Sequence, residues 1–426
     1  MCIVSALGGC ENQVKAHVQG NVNVSNDKNT LIAAITHCLP YMGFPRTLFG
    51  TGMLNELHKQ QMPGQKALLV ISNGKSTKAN GYLARTQGQL KLAGVESVVF
   101  DKIQPNPLKS TIMAGAAYAK ENGCDFVVAL GGGSVMDSGK IIAMMATNPG
   151  NLWDYVGSGT GKELPLQNKP LPVICITTTA GTGSEVDQWG VVTHEERNEK
   201  VGCGGVDSLF PVLAIVDPEL MLTVPPKYTA YQGFDTLFHS TEVYISKYAN
   251  PMSDMVSLTA IEAIGKYLAR AVKNGNDLEA REQVAFANTM SGYAMVVGCC
   301  TSEHSMEHAM SAYHQDLPHG AGLIMISKAY YEYFINAHAC DDRFIRMAKA
   351  LGLEEAKEPM DFTRALTKLQ EDCGVAELKM SEYGIRPDEF MTLAKNARTT
   401  MGGLFKADLA ELSDKDCAAI YEKSYR

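Results

Sequence analysis

The chain has 426 residues, of which 45% are hydrophobic, enough for the packed cores of two or three domains. Its 46 acidic residues outnumber 38 basic ones, for a net charge of −8 with no basic run, which excludes nucleic acid and anionic membranes as expected partners. The sequence has no stretch of about 18 uninterrupted apolar residues, and its 11 cysteines include no Cys-x-x-Cys pair, so we expect a reduced, cytoplasmic enzyme acting on a small molecule.

Residues 1–42 are predicted to be an extension that precedes the first domain. Between residues 29 and 39, apolar side chains recur at helical spacing. This pattern predicts a helix that packs against its own domain.

From Lys66 onwards, short apolar runs alternate with helical segments. The predicted strands are Lys66–Ser72, 97–101 and 125–130, and the segment 108–121 is a predicted helix with an alanine-rich face. Buried strands that alternate with helices indicate a parallel sheet with crossover helices, which we assign to residues 43–224. Ligands of such sheets bind beyond the carboxyl ends of the strands.

A glycine-rich turn, GGGSVMDSGK, follows the third predicted strand at residues 131–140. Three glycines let the backbone approach a phosphate, and the helix that follows offers N–H groups and a positive dipole end. The string lacks the spacing of the G-x-G-x-x-G motif. It does not match the P-loop either, because Lys140 is followed by Ile141 and not by Ser or Thr. A pyrophosphate site is the favoured interpretation, and a tight strand-to-helix turn without a ligand is the alternative.

Two further strand ends carry polar residues. The loop TTTAGTGSE, at residues 177–185, follows an apolar run and can hydrogen-bond a phosphate, a ribose or a carboxamide. The first predicted strand ends at Ser72 and Asn73, and no acidic residue lies in this turn to repel a 2′-phosphate. We therefore expect NADPH to be accepted at least as readily as NADH, with Lys75 favouring the phosphate.

The sequence pattern changes near Val224. Residues 225–426 read as successive helices, with few β-branched runs, and predict an all-helical second domain. Ser413 has the position of an N-cap for a terminal helix.

Histidines and a carboxylate cluster in this second domain. Asp235 and His239 are four residues apart, as are His304 and His308, so each pair lies on one helical face, and His319 follows in a predicted loop. Three imidazoles with one carboxylate suit zinc, ferrous iron or manganese at a site with an open position for substrate. The alternative is that each pair lies on the surface, or in a core where its polar atoms are hydrogen-bonded.

Taken together, segments 131–140, 178–185, 234–242 and 304–320 resemble the iron-containing (group III) alcohol dehydrogenase family, which includes butanol dehydrogenase, lactaldehyde reductase and 1,3-propanediol dehydrogenase branches. The resemblance extends from about residue 43 to the C-terminus. It implies two domains, an N-terminal α/β dinucleotide-binding domain with a parallel sheet and a C-terminal all-α metal-binding domain, with the site in the cleft between them.

The resemblance also implies roles for individual residues. The implied metal ligands are Asp235, His239, His304 and His319, with Fe²⁺ as the expected ion and zinc or manganese as alternatives. His308 is implied to be catalytic and to face the nicotinamide and substrate. The residues expected to bind NAD(P) are Ser72, Asn73, Gly132, Gly133, Ser134, Asp137, Thr178, Thr179, Thr182 and Lys200.

The implied function is interconversion of a small primary alcohol or diol and its aldehyde by hydride transfer with NAD(P), in a homodimer or higher homo-oligomer. The alternatives are a dehydroquinate synthase-like or glycerol dehydrogenase-like metal enzyme and a zinc metallohydrolase. A synthase with a phosphate substrate needs basic residues near the metal, and no Lys or Arg lies between His304 and His319. A hydrolase has no use for a dinucleotide site.

Overall fold

The computed structural model describes residues 45–426, so the predicted extension and its helix at residues 29–39 lie outside the described residues. The first half of this region contains the strands. They are β1 Arg46–Phe49, β2 Lys66–Ser72, β3 Glu96–Ile103, β4 Phe126–Gly131, β5 Val173–Thr177, β6 Trp189–His194, β7 Glu199–Gly204 and β8 Leu213–Val216.

Six strands form one parallel sheet in the order β1-β8-β5-β4-β2-β3. The helices of this half are α1 Ser76–Ala79, α2 Tyr82–Leu92, α3 Lys109–Glu121 and α4 Gly133–Thr147. Strands β6 and β7 form a separate antiparallel hairpin. The sequence analysis did not anticipate this hairpin or the four-residue β1.

Apolar residues on both faces explain why the central strands are buried. In β2, Leu68 and Val70 pack into one cluster with residues of α3 and α4, whereas Leu69 and Ile71 pack into another with a residue of α2. All six residues of β4 are buried. Because successive side chains of a strand point to opposite faces, a continuous apolar run places helices on both sides of the sheet.

The second half of the described region is helical. Its helices are α5 Pro226–Tyr244, α6 Pro251–Lys273, α7 Leu278–Val297, α8 Ser302–Tyr313, α9 His319–Asn336, α10 Asp341–Ala350, α11 Asp361–Asp372, α12 Phe390–Phe405 and α13 Asp414–Ser424. Ser413 caps α13, as predicted, and forms a capping box with Asp416. The predicted fold class, an α/β parallel-sheet part followed by an all-helical part, is confirmed.

The order of the strands places the polar turns together. From β2 the chain continues towards one edge of the sheet to form β3, and from β4 it continues towards the other edge to form β5. Strands β2 and β4 therefore flank the point where the strand order reverses. In this register Val70 pairs with Ala129, and Gly131 pairs with Thr177. Open α/β sheets bind their ligands at such a reversal.

Among residues 45–426, no single helix is long and apolar enough to cross a membrane. One pair, α7 with α8, meets the length and composition criteria only when both helices are taken together, and it is bent by 107°.

Candidate metal and dinucleotide site

A single buried stripe of α5 carries three of the polar groups of the site. Asp235, His239 and Glu242 are spaced i, i+4 and i+7, which brings all three to one face of a helix at about 100° per residue. All three are buried, although their neighbours on the helix are largely apolar. A charged stripe inside a core needs partners, and these come from α8 and α9.

Three imidazole nitrogens surround one carboxylate oxygen. Oδ1 of Asp235 lies 3.5 Å from Nδ1 of His239, 3.4 Å from Nε2 of His304 and 3.5 Å from Nε2 of His319. His304 comes from the first turn of α8, and His319 begins α9. The structure therefore brings together all four predicted metal ligands from three helices.

These distances fit ligands around an ion better than they fit hydrogen bonds. Nitrogen–oxygen hydrogen bonds have a usual range of roughly 2.7–3.2 Å. Metal bonds of about 2.1 Å place neighbouring ligand atoms of a tetrahedral site roughly 3.4 Å apart. In addition, Nδ1 of His239 is buried without a hydrogen-bond partner. The residues present thus fit a divalent metal ion.

Two buried carboxylates orient two of the histidines by contacting the ring nitrogen that does not face Asp235. Nδ1 of His304 contacts Glu242, and Nδ1 of His319 contacts Glu307. Carboxylates of this kind fix the tautomer and ring orientation of metal-binding histidines. Neither glutamate was among the predicted site residues, although Glu242 lies on the same helical face as Asp235, which is a detectable sequence signal.

The electrostatics of the metal-free cluster favour a charged Asp235 beside neutral His239 and His308. At His304 and His319, the adjacent Glu242 and Glu307 outweigh burial and raise the pKa. Burial opposes the charge of Asp235, but the adjacent His239, His319 and His304 outweigh it and hold its pKa well below the usual range. Burial lowers the pKa of His239 to about 3. Burial, with Lys200 adding to the effect, holds the pKa of His308 well below its usual range. A carboxylate and neutral imidazoles are the forms that bind metal ions.

Cys300 offers a different donor set near the same histidines. Candidate ligand atoms of His239, Cys300 and His304 lie within 4.8 Å of one another, as do those of Asp235, His304 and His319. Burial holds the pKa of the Cys300 thiol well above its usual value, with Glu242 adding to the rise. Because the thiolate is the form that binds metals, the set that contains Asp235 is the better site.

His308 lies one turn beyond His304, as its spacing predicts, and does not belong to the ring around Asp235. Its ring centroid is 5.3 Å from that of His319. Nδ1 of His308 lies 3.0 Å from Sδ of Met401. A thioether sulfur only accepts, so this contact requires the hydrogen on Nδ1 and leaves Nε2 as an acceptor.

The two predicted polar loops pack directly against each other. The amide of Thr178 donates to the carbonyl of Gly131 over 2.9 Å. A Cβ on Gly132 would lie 2.8 Å from Oγ1 of Thr179, and one on Gly133 would lie 2.3 Å from Cγ2 of Thr182. Only glycine fits at both positions, so the first turn of α4 lies against the second loop. No side chain caps α4 at Gly132.

The other predicted cofactor residues lie around this junction. Ser134 is the second residue of α4. On the far side of the strand reversal, Ser72 ends β2 and Asn73 follows it. Asp137 is buried, and its two carboxylate oxygens accept from Oγ of Ser184 and from the amide of Val191. Its predicted contact with the cofactor therefore competes with contacts inside the protein.

Lys200 lies nearer to the histidines than to the glycine loop. Its ammonium group is buried and lies 2.8 Å from Oγ of Ser311, 3.1 Å from Oδ1 of Asn106 and 3.5 Å from Oε2 of Glu307. Glu307 in turn contacts the metal-ligand candidate His319. Lys200 thus connects the β6–β7 hairpin to the helical half of the site.

Comparison with known proteins identifies the family. The model of iron-containing alcohol dehydrogenases matches residues 45–218, and the model of the C-terminal part of the Fe-containing alcohol dehydrogenase family matches residues 229–425. The choline dehydrogenase of Bacillus subtilis (strain 168) is 37% identical over 339 residues, which are 78% of this chain and 81% of that protein. The chain belongs to the iron-containing alcohol dehydrogenase family.

Another relative and a solved structure agree with this assignment. The NAD-dependent methanol dehydrogenase of Bacillus methanolicus is 31% identical over 369 residues, covering 83% of this chain and 91% of that protein. The archaeal halo-thermophilic Red Sea brine pool alcohol dehydrogenase matches with a TM-score of 0.85 at 34% identity, over 89% of this chain and 98% of its own. As an iron-type alcohol dehydrogenase, the enzyme interconverts alcohols and aldehydes, and the predicted family and reaction class are confirmed.

Proposed function

We propose that the enzyme interconverts small primary alcohols or diols and their aldehydes with NAD(P) and a divalent metal ion bound by Asp235, His239, His304 and His319. The observation that carries this proposal is the position of Oδ1 of Asp235, 3.4 to 3.5 Å from nitrogens of all three histidines. Fe²⁺ is the proposed ion. Zinc and manganese are alternatives, because affinity for such nitrogen and oxygen donors does not decide which metal is bound in the cell.

The chemistry divides between the bound groups and the protein. When bound, the ion polarises the alcohol or aldehyde oxygen as a Lewis acid, and the dinucleotide accepts or supplies the hydride. Asp235 offsets the charge of the ion, and Glu242 and Glu307 hold His304 and His319 in place. His308, with Nε2 free to accept, takes up the alcohol proton or returns it in the reverse direction.

The glycine loop supports the choice of cofactor. The first turn of α4 follows a parallel strand at the reversal of strand order, which is where dinucleotides bind in open α/β sheets. We assign the pyrophosphate to Gly132, Gly133 and Ser134, and the nicotinamide half to the loop that contains Thr178, Thr179 and Thr182. NAD matches the name of the Bacillus methanolicus relative. NADP is proposed as well, because the turn at residues 72–76 contains no acid.

The relatives support a primary alcohol as the substrate. Two relatives are named for choline, which carries a terminal CH₂OH group, and for methanol, the one-carbon alcohol. In both compounds the carbon that bears the hydroxyl can be oxidised to an aldehyde. Assembly into a homodimer or higher homo-oligomer and residence in the cytoplasm stay predictions, which light scattering and cell fractionation check.

Anaerobic reconstitution with Fe²⁺, Zn²⁺ or Mn²⁺ tests the proposal. Straight-chain aldehydes are assayed with NADH or NADPH, and diols and glycerol with NAD⁺ or NADP⁺. Turnover of short aldehydes is expected only in metal-loaded protein. Turnover confined to glycerol would favour a glycerol dehydrogenase-like enzyme. Ester or amide hydrolysis without dinucleotide would favour a metallohydrolase, and metal-loaded protein without turnover of any aldehyde would contradict the proposal.

A further inference from the structure

Helix α12 is interrupted at Met401, at the level of the candidate site. Met401 has φ −134° and ψ 38°, which are non-helical values inside Phe390–Phe405, and two glycines follow it. Its carbonyl accepts a hydrogen bond from Oγ of Ser305 over 2.9 Å. Because Ser305 is next to the ligand candidate His304, the interruption of α12 is tied to the helix that carries the site.

The Met401 side chain extends from this interruption across the cleft. Its sulfur lies 3.0 Å from Nδ1 of His308 on α8. On the other side, a Cβ on Gly202 of β7 would lie 3.9 Å from the Met401 methyl carbon. Met401 therefore spans the distance between the helical half and the β6–β7 hairpin, at a point where the hairpin has no side chain.

Exposure shows from which side a substrate reaches the cluster. The side chain of His319 is 23% exposed, whereas those of Asp235, His239 and His304 are 6%, 8% and 6% exposed. The cluster thus opens beside His319, and the ring of His308 is adjacent to that of His319. We expect a molecule that enters here to meet His308, whose Nδ1 is in contact with Met401.

We propose that Met401 determines substrate length, by closing the space between His308 and Gly202 to all but short, unbranched primary alcohols and aldehydes. The inference rests on the proposed function and adds to it a residue that the sequence analysis did not single out. A methionine side chain is apolar and flexible, so it suits contact with a short alkyl chain. At Gly202 the hairpin contributes no side chain, and a Cβ there would be in van der Waals contact with the Met401 methyl group.

Three substitutions test this length limit from both sides. Met401→Ala removes the barrier, and Met401→Leu keeps a side chain of similar volume without sulfur. Gly202→Ala adds a methyl group on the opposite side, where a 3.9 Å contact is ordinary and needs no rearrangement. The measurement is kcat/KM for straight-chain aldehydes from propanal to hexanal with NADH, together with metal content and thermal unfolding.

Met401→Ala is expected to raise the ratio of kcat/KM for hexanal to that for propanal by about 10-fold or more, because one methylene in an apolar pocket changes discrimination by roughly 10- to 200-fold. Gly202→Ala is expected to lower this ratio, and Met401→Leu to keep it within about 3-fold by the same measure. Equilibrium binding of hexanol and propanol to the NADH complex should change in the same order.

An unchanged ratio in metal-loaded Met401→Ala would overturn the inference, as would shifts in the same direction for Met401→Ala and Gly202→Ala. If Met401→Ala loses metal or unfolds, Gly202→Ala provides the test. An unchanged ratio of kcat/KM for hexanal to that for propanal in Gly202→Ala contradicts the length limit. Absence of any aldehyde turnover in the wild type would count against the proposed function instead. Turnover with an insensitive ratio would remove only the inference about Met401.

Discussion

At the scale of single residues, the site depends on how each histidine divides its two nitrogens. His304 contacts Asp235 through Nε2 and Glu242 through Nδ1. Burial opposes a charge on this ring, but Glu242 and Asp235 outweigh burial and raise the pKa of His304 well above its usual value. An ion held at Nε2 would take the place of the proton that faces Asp235, while the hydrogen on Nδ1 would stay directed at Glu242.

The two histidines of α8 are therefore predicted to respond differently to substitution. His304→Ala should lose both metal and turnover, because it removes one of four ligands. His308→Ala should keep its metal and lose turnover by about 10- to 1,000-fold, as expected for a lost acid–base group. Elemental analysis of purified protein and steady-state rates provide the measurement. Metal retention in His304→Ala, or metal loss in His308→Ala, would show that the two roles are exchanged.

The sequence predicts which polar side chains lie together when they repeat on one helix. The i, i+4 spacings of Asp235 with His239 and of His304 with His308 indicate a shared face before any fold is known. Glu307 cannot be assigned in the same way, because its contact with His319 depends on how α8 and α9 pack. Met401 is even less predictable, since its position requires a break in α12 that an ordinary helical pattern conceals.

At the scale of elements, α4 combines a ligand-facing end with an unusual buried interior. Lys140 is fully buried and donates to Oδ1 of Asp187 over 2.6 Å. Asp137 lies on the same helix and brings a second carboxylate to this single ammonium group. Burial raises the pKa of Asp137 to about 6, and Asp187 adds to the rise while Lys140 opposes it.

Stability should consequently depend on pH through Asp137. The folded-state pKa is raised above the ordinary value of 3.8, so the protonated form is favoured by folding. Its contribution is complete below about pH 4 and is lost as the pH rises through about 6, by on the order of 3 kcal/mol for two pKa units. Asp137→Asn, which mimics the protonated form, should remove this decline. Urea unfolding of metal-free wild type and variant between pH 4 and 7 checks it, and parallel curves would contradict it.

The end of β2 gives a prediction about the dinucleotide. Ser72 is the last residue of β2, and Lys75 is exposed in the turn that follows. We expect NADPH to be used at least as readily as NADH, and Ser72→Asp to shift preference towards NADH by repelling the 2′-phosphate. The ratio of kcat/KM for the two cofactors in wild type and variant is the measurement. A wild-type enzyme strongly selective for NADH would rule out this explanation.

Elements with continuous apolar character were the easiest to predict. The predicted strand Lys66–Ser72 has the same bounds in the structure, and the predicted strand at 125–130 is Phe126–Gly131. The β6–β7 hairpin was missed because it contains no continuous apolar run: β7 begins with Glu199 and Lys200, and two glycines occupy its second half. That hairpin carries Lys200 and Gly202, so a prediction limited to sheet and helices loses part of the cleft.

At the scale of the whole molecule, the two halves meet along a boundary of specific polar contacts. Asn288 on α7 accepts from the amide of Gly183 over 2.8 Å and donates to Oε1 of Glu185 over 2.7 Å. Gly183 has φ +64°, and a Cβ there would lie 2.5 Å from Cα of Gly292. The loop at residues 177–185 therefore rests directly on a helix of the helical half, and no side chain larger than hydrogen fits between them.

Replacing Asn288 should weaken the interaction between the two halves without altering a proposed metal ligand. In Asn288→Ala the buried amide of Gly183 loses its acceptor and the carboxylate of Glu185 loses a donor, which is expected to lower the free energy of unfolding by about 1–3 kcal/mol. The looser loop should also raise KM for the dinucleotide, while metal content stays unchanged.

Thr289→Val is the matched control, because it removes only one hydroxyl from the same carboxylate. Urea unfolding, metal analysis and dinucleotide titration separate these effects. An Asn288→Ala protein with wild-type stability and dinucleotide affinity would mean that the Asn288 contacts do not hold the halves together.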